Sequence, residues 1–548
     1  MAMIAFEWHR LFETCFGEKG SSVHSKVASR APLLALLAVV LTLVCGPRSA
    51  QAQTAGTITG TVTDESGAVV PGATITITNM GTGTVARTLQ SNDSGVYVAE
   101  ALSVGTYEVA VQASGFTRMV RSGIVLNVAD RLAINFVLKV GAVSQSVEVT
   151  AAPPVIESQT GEQSQLITTQ QIAEIPILGR NFMQLQQMVA GASKTGSDEI
   201  GKGFYGERGF AVNGMNEHYT GYQLDGVQNT DMGNQASTLT NPGPDTLAEF
   251  KVLTSNYSAK YGIAGGANLL AVTKTGTRDF HGSAYDYLRN DKLDAADFFL
   301  NKNNQQKSPL RYNNFGYTLG GPFYIPGHYN TDKSKTFFFW SQEWIRQRAA
   351  APVVAATPTQ TMRAGDFTGF GPLTNPTDPT TGKPLTDSSG APCVGGANMD
   401  QVNPNCINSN VALLLNQAFP LPNATGFNNF IHGATTGQDW GEQLIRVDQN
   451  ISEKVKAFVR FIHDSWNETD PTVQWSGDAF PTVHSTFNIP SRNLIAKMTT
   501  VLNPTLLNEV SYTYASNYPS PSTPAMLIQG ATQKPSGYNV QQVFNENF

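Results

Sequence analysis

The side chains best equipped for catalysis are scattered in this chain. None of its eight histidines begins an H-x-x-E or H-E-x-x-H motif, the patterns that bring metal ligands and a base together on a helix. There is no G-x-S-x-G elbow and no phosphate-cradling P-loop, so neither a serine hydrolase nor a nucleotide enzyme is indicated. Isolated Ser, His and Asp residues are too common to count as a site. Of the cysteines, Cys393 and Cys406 share one Gly/Asn/Pro-rich stretch, PCVGGANMDQVNPNC. A metal site would need further ligands nearby, and none is visible. In an exported chain, two cysteines so placed are expected to form a disulfide. The chemistry left to the chain is charge pairing and backbone pairing. Two places stand out: Arg446, Asp448 and Arg460 within alternating apolar runs, and the strand-like SVEVTA, Ser146 to Ala151, which ends at Pro153-Pro154 before any return strand. Prolines lack the N–H that a ladder needs, so this short strand cannot grow into a hairpin.

The elements that carry these residues belong to an exported, β-rich chain. At 548 residues it has room for roughly three or four domains. Charged residues make up 14%, against roughly 25% in a typical soluble protein. Glycine is abundant, and the net charge of −6 comes with no Lys/Arg run that could track phosphates, so a nucleic-acid partner is not expected. Lys26 and Arg30 precede an apolar run from Leu33 to Val44, and Ala50-Gln51-Ala52 follows it. Basic flank, short apolar core and A-x-A site read as a secretory signal over 1–52, with cleavage before Gln53 and a possible over-early start codon. Cys15 and Cys45 fall within that segment; Val44 stands where a lipoprotein site wants a small residue.

From Gly56 to Leu138 short alternating segments (GTITGTVTD, ATITITNM, GVYVAEAL, GTYEVAVQ) are separated by turn signals. The pattern predicts a β-sandwich with Ile75, Ile77, Val109 and Val111 on its inner face. This segment, 54–140, resembles the carboxypeptidase regulatory-like domain, an Ig-like sandwich without the peptidase. Beyond it, Ile172, Ile175, Leu178, Phe182, Leu185 and Met188 recur at helical spacing and are expected to pack a core. Gly-rich strand–turn segments then suggest a small α/β domain of about a hundred residues.

Three landmarks in this domain, RGF at Arg208 to Phe210, YQLDGV at Tyr222 to Val227, and EFKVLTSNYSAKYGIAGGANLLAVTKTGT, resemble the plug of TonB-dependent outer-membrane receptors. The motif residues carried over are Arg208, Gly209, Asp225, Gly226, Tyr261, Gly262, Gly265, Gly266, Thr273 and Lys274. Thr254-Ser255-Asn256 stands where many plugs have an Arg-Gly-Pro turn, a variant that looks like the Oar-like subgroup. The resemblance implies a plug over 166–278 and a linker over 141–165. It also implies a TonB box made of Ser146, Val147, Glu148, Val149, Thr150 and Ala151, whose unpaired backbone would add to the sheet edge of an inner-membrane TonB-type protein; the alternative for this segment is a last sandwich strand or a plain linker. Pro153-Pro154 would keep it from zipping back, and Glu157 to Gln165 would supply slack.

From 279 onward the chain should be barrel wall. Ile445 and Val447 alternate with Arg446 and Asp448; Ala457, Val459 and Phe461 alternate with Lys456 and Arg460; Leu494, Ala496 and Met498 face one way, as do Val510, Tyr512 and Tyr514. Arginines facing inward suit a plugged or watery lumen and not a dry core. Long polar segments, Pro352 to Gly441 above all, read as external loops carrying the disulfide. TFFFWSQEW fits either an interfacial girdle or an ordinary apolar strand. About 270 residues with such loops leave room for roughly ten strands, while barrels of this type have about 22, so an N-terminal fragment with an incomplete barrel is expected. The resemblance implies an outer-membrane receptor that moves an unidentified substrate past its plug. It implies no enzyme activity, metal or cofactor, and it places the sandwich and TonB box in the periplasm. The competing reading at this stage is a surface adhesin or carbohydrate-binding protein of stacked soluble β modules.

Overall fold

The structure is a computed structural model that describes residues 54–141, 146–149, 159–194, 210–231, 238–261, 264–296, 298–302, 307, 309–470, 485–503, 506–518 and 520–522. The signal region, Cys15, Cys45, Thr150, Ala151, Pro153-Pro154, Arg208, Gly209 and Gly262 lie outside the described residues.

The first region is a sandwich of two sheets. Gly56–Asp64 is the middle of one, flanked by the antiparallel Val96–Leu102 and the parallel Arg131–Ala133 and Phe136–Leu138. The other runs in the order Thr84–Gln90, Thr74–Asn79, Gly105–Gln112, Arg118–Leu126. Alternation is strict where it matters: Ile58, Val62, Ile75, Ile77, Val109, Val111 and Phe136 point inward and are buried. Their removal from water stabilises by ~25 cal/mol per Å² of apolar surface.

The second region is a five-stranded sheet in the order Gln163–Ile167, Leu247–Ser255, Ala267–Thr273, Thr220–Leu224, Val227–Gln228. The helical spacing after Ile172 gives only the short helix Thr169–Glu174, capped by Thr168 in a capping box, and 3-10 turns at Leu178–Arg180 and Phe182–Met188. Pro176 breaks the run, since it can neither donate a helical N–H nor leave its predecessor helical. Ile172, Phe182 and Leu185 still reach the core, while Met188 is exposed.

The third region is one continuous antiparallel wall of sequential neighbours: His281–Asn290, Leu310–Pro322, Thr336–Ala355, Phe430–Asn450, Val455–Asp470, Ser485–Asn503 and Leu506–Asn517, with Ser520–Ser522 also beside Ser485–Asn503. Connections alternate between short (451–454) and long (356–429), as successive hairpins of a barrel wall require. Trp344 stacks on Phe315 with centroids 5.3 Å apart. These two rings sit with Tyr317, Leu319, Val459, Met498, Val510 and Tyr512 on the face turned away from the plug. Phe337 and Phe339 of TFFFWSQEW are buried on the opposite face.

The long 356–429 connection is ordered by its own contacts. Cys393 and Cys406 are joined by a disulfide, with Cα atoms 5.6 Å apart. The Arg363 guanidinium donates to the carbonyls of Leu415 (2.7 Å), Phe419 (2.8 Å) and Pro420 (2.8 Å), closing the end of the helix Ser409–Ala418. Asp387 accepts from Ser389, Asn403 and Ala391, which hold its carboxyl well below the usual range.

Candidate functional site: the seat of the plug

Leu224 and Val227 pair across the two-residue turn Asp225-Gly226, both at positive φ (53° and 85°). That is the backbone of a type I′ hairpin, which favours Asp-Gly and admits a Cβ-bearing residue poorly at the second position. The turn drives the Asp225 carboxylate into the wall. It accepts from Thr273 N and Oγ1, both at 3.0 Å, from Arg446 Nη1 at 3.2 Å and from Arg460 Nε at 3.0 Å. Arg460 is fully buried and also donates to Asn493 Oδ1 (2.8 Å) and Leu224 O (3.1 Å). Arg446 makes a forked pair with Asp448 at 2.9 and 3.0 Å and lies 4.5 Å from the Phe458 ring centroid. One plug carboxylate is thus held by two wall guanidiniums, each with a second anchor.

A second cluster reverses the signs. The Gly243 N–H donates to Glu442 Oε2 at 2.7 Å, Thr246 Oγ1 to Glu442 Oε1 at 3.1 Å, and the Asn241 N–H to Asp464 at 2.8 Å. A Cβ at Gly243 would lie 1.9 Å from a Glu343 carboxylate oxygen, so only glycine lets the backbone come this close. Glu343 itself accepts from Tyr285 Oη (2.8 Å) and Asn314 Nδ2 (2.7 Å). Arg180 pairs with Asp245 and lies 4.1 Å from the Tyr287 ring centroid. Between the clusters, Phe339, Leu444 and Ile462 of the wall join the plug core of Ile167, Phe182, Leu224 and Phe250.

The seat is therefore polar, charged and buried. Ion pairs removed from water roughly offset their own desolvation, and removing one partner costs far more than the pair contributes. A contact of this kind specifies position strongly and adds little net adhesion. It can hold a domain in place and still release it.

The chain matches the sequence profile of an outer membrane beta barrel domain over residues 272–547, of a carboxypeptidase regulatory-like domain over 57–139, and of a TonB-dependent receptor plug domain over 157–267. It belongs to the TonB-dependent outer-membrane receptor family. The TonB-dependent transporter Oar of Myxococcus xanthus is 24% identical over 267 residues, an alignment covering 46% of this chain and 23% of that protein. The matched part of the chain thus spans less than a quarter of the length of that relative. Among solved structures it is similar to the siderophore receptor PirA from Acinetobacter baumannii (TM-score 0.32, 12% identity, 65% of this chain and 43% of that one). It is also similar to the outer membrane transporter YddB from Escherichia coli (TM-score 0.36, 11% identity, 65% and 39%).

In this receptor the residues picked out by sequence divide into groups. Asp225, Gly226 and Thr273 meet at the seat. The Lys274 N–H donates to Thr246 O at 2.9 Å, at the edge of the seat. Tyr261 is buried elsewhere, against Val128 and Leu253, and the Gly266 N–H donates to Tyr219 O at 2.8 Å beside Gly265. The strand Ser146–Val149 needs a correction. It is not alone on its tether but pairs in parallel with the sandwich edge, Ser146 beside Arg118 and Val149 beside Arg121. An edge strand presents unpaired N–H and C=O groups to any extended segment nearby, and this segment is tethered close to one.

Glu343, Glu442, Asp464, Asp130, Glu249 and Lys251 escaped the sequence reading. The signal was present for the last two: Glu249 and Lys251 occupy the same face of an otherwise apolar strand, Leu247–Ser255.

Proposed function

We propose that this chain carries the gate and the coupling parts of an energy-coupled outer-membrane transporter for an unidentified substrate. The sandwich (54–140), linker (141–165) and plug (166–278) are the moving parts, and the chain from 279 onward is the wall. The sandwich and the TonB box lie on the periplasmic side. An inner-membrane TonB-type protein takes Ser146 to Ala151 as an added strand and pulls. Main-chain pairing suits this task, because a ladder of hydrogen bonds resists tension without requiring a particular side chain.

The observation that carries the proposal is Asp225 held between Arg446 and Arg460. A purely structural contact between domains has no need of buried charge, and apolar residues of similar volume are often as stable or more so. A seat that must let go and re-form in one register is better served by directional pairs. The test is a Val149→Pro receptor, which removes a donor from the box. Its expected behaviour is normal folding and outer-membrane retention with loss of energy-dependent plug movement; unchanged movement would refute the coupling role.

A further inference from the structure

The turn 127–130 of the sandwich is embedded in the plug. Val128 is fully buried among Leu253, Tyr261, Leu270 and Val272. Its N–H donates to the Glu249 carboxylate. Two residues on, Asp130 accepts from Lys251 Nζ at 2.9 Å, with side chains only 10% and 3% exposed. The turn is braced from within the sandwich: Asn127 N and Nδ2 donate to Asp130 Oδ2 at 3.1 and 2.7 Å, Thr57 N donates to Asp130 O at 2.8 Å, and Ala129 is held at φ 56°. Both plug partners, Glu249 and Lys251, sit on Leu247–Ser255. That same strand is the antiparallel neighbour of Gln163–Ile167, the first plug strand after the linker.

We infer that the sandwich is a second handle on the plug: a pull on Ser146–Val149 reaches Leu247–Ser255 both through the linker and Gln163–Ile167, and through the sandwich and its buried 127–130 clasp. This rests on the coupling role proposed for Ser146 to Ala151. Upstream, the pull passes to Phe136–Leu138, which pairs in parallel with Val62–Asp64 at the centre of the sandwich, and from there to the clasp. A buried ion pair and a buried valine give the sandwich a firm hold on the plug. The two routes converge on one strand of the plug, and slack in one leaves the other taut.

The experiment uses the full chain in cells. A reporter cysteine replaces Ser341, which is fully buried and 2.8 Å from Thr246 Oγ1, so a water-soluble maleimide reaches it only when the plug leaves its seat. Labelling is compared with and without a protonophore in three backgrounds: a flexible Gly/Ser insert of about twenty residues after Pro154, the double change Asp130→Ala with Lys251→Ala, and both together. Each alteration alone is expected to keep most energy-dependent labelling, and the combination to lose at least tenfold. Lys251→Ala alone, which leaves Asp130 its Asn127 donors and so spares the turn, should lose labelling in the long-linker receptor as the double change does, which separates the pair from a defect of the turn itself. Loss of labelling with the insert alone, or full labelling with the combination, overturns the second handle. Val149→Pro serves as the separate control: labelling that survives it refutes the coupling role itself.

Discussion

Inside the sandwich the buried side chains include Ile58, Val62, Tyr107, Val109 and Phe136, while in the seat of the plug they include the charged Arg460, Glu343, Glu442 and Asp225. Both places are buried, yet one is lined by hydrophobic side chains and the other carries paired charge beside Phe339, Leu444 and Ile462. The first gains free energy with every methylene buried and has no reason to open. The second gains little from assembly and loses a great deal from error, because each charge depends on a named partner. Burial alone does not tell a permanent core from a releasable contact; the kind of atoms buried does.

Four measurements probe that contrast. The largest effect is expected from Asp225→Ala, which leaves Arg446 and Arg460 buried without their shared carboxylate and should cost about 3–5 kcal/mol of plug seating. It is read as raised maleimide access to a cysteine at Ser341 without any energy source. Asp225→Asn should fall between this variant and the parent. Phe136→Ala should cost about 3–5 kcal/mol as well, but confined to the sandwich; thermal melts followed by sandwich and seat probes separately should shift only the first. If both probes move together, the two regions are not distinct.

A smaller effect is expected from pH at the clasp. Burial, with only partial relief from the Val128 N–H, lifts the Glu249 carboxyl from its ordinary 4.5 to about 7, with Asp130 raising it further and Lys251 lowering it. The clasped state therefore binds the proton more tightly than the open one. Its stabilisation is complete below pH 4.5 and is lost as pH rises through about 7. Proteolytic release of the sandwich from the plug should accordingly quicken over that interval, and Glu249→Gln should flatten the dependence. The smallest effect belongs to Arg131→Ala, which breaks a solvated pair with Glu100 at 3.7 Å; melting should change by less than about 1 kcal/mol.

Much of this contrast can be read in the chain. Alternation located the inner face of the sandwich, and it placed Arg446 and Arg460 inside the wall because a dry core would reject them. What sequence could not supply was the partner of each charge. Asp225 is 221 positions from Arg446 and 235 from Arg460, and nothing local marks them as neighbours. For Ser146–Val149 the sequence leaves docking on the sandwich as one of the open readings, for another reason: strand pairing uses the backbone, which every residue shares, so side chains do not name the partner sheet. Helical spacing after Ile172 marked residues that do reach the core, Ile172, Phe182 and Leu185, while Pro176 keeps the run from forming one long helix.

The wall strands Thr336–Ala355 and Phe430–Asn450 run 20 and 21 residues, about twice the ten or so needed to cross a bilayer at the usual tilt. At ~3.3 Å per residue and a tilt near 45°, the longer one climbs about 50 Å, roughly double the apolar band. The excess carries the hydrogen-bonded wall beyond the apolar band on the side of the long 356–429 connection, the segment that the Cys393–Cys406 disulfide closes. That extension is stiff, because the two long strands stay paired residue by residue from Thr336 beside Gln449 to Ala355 beside Phe430.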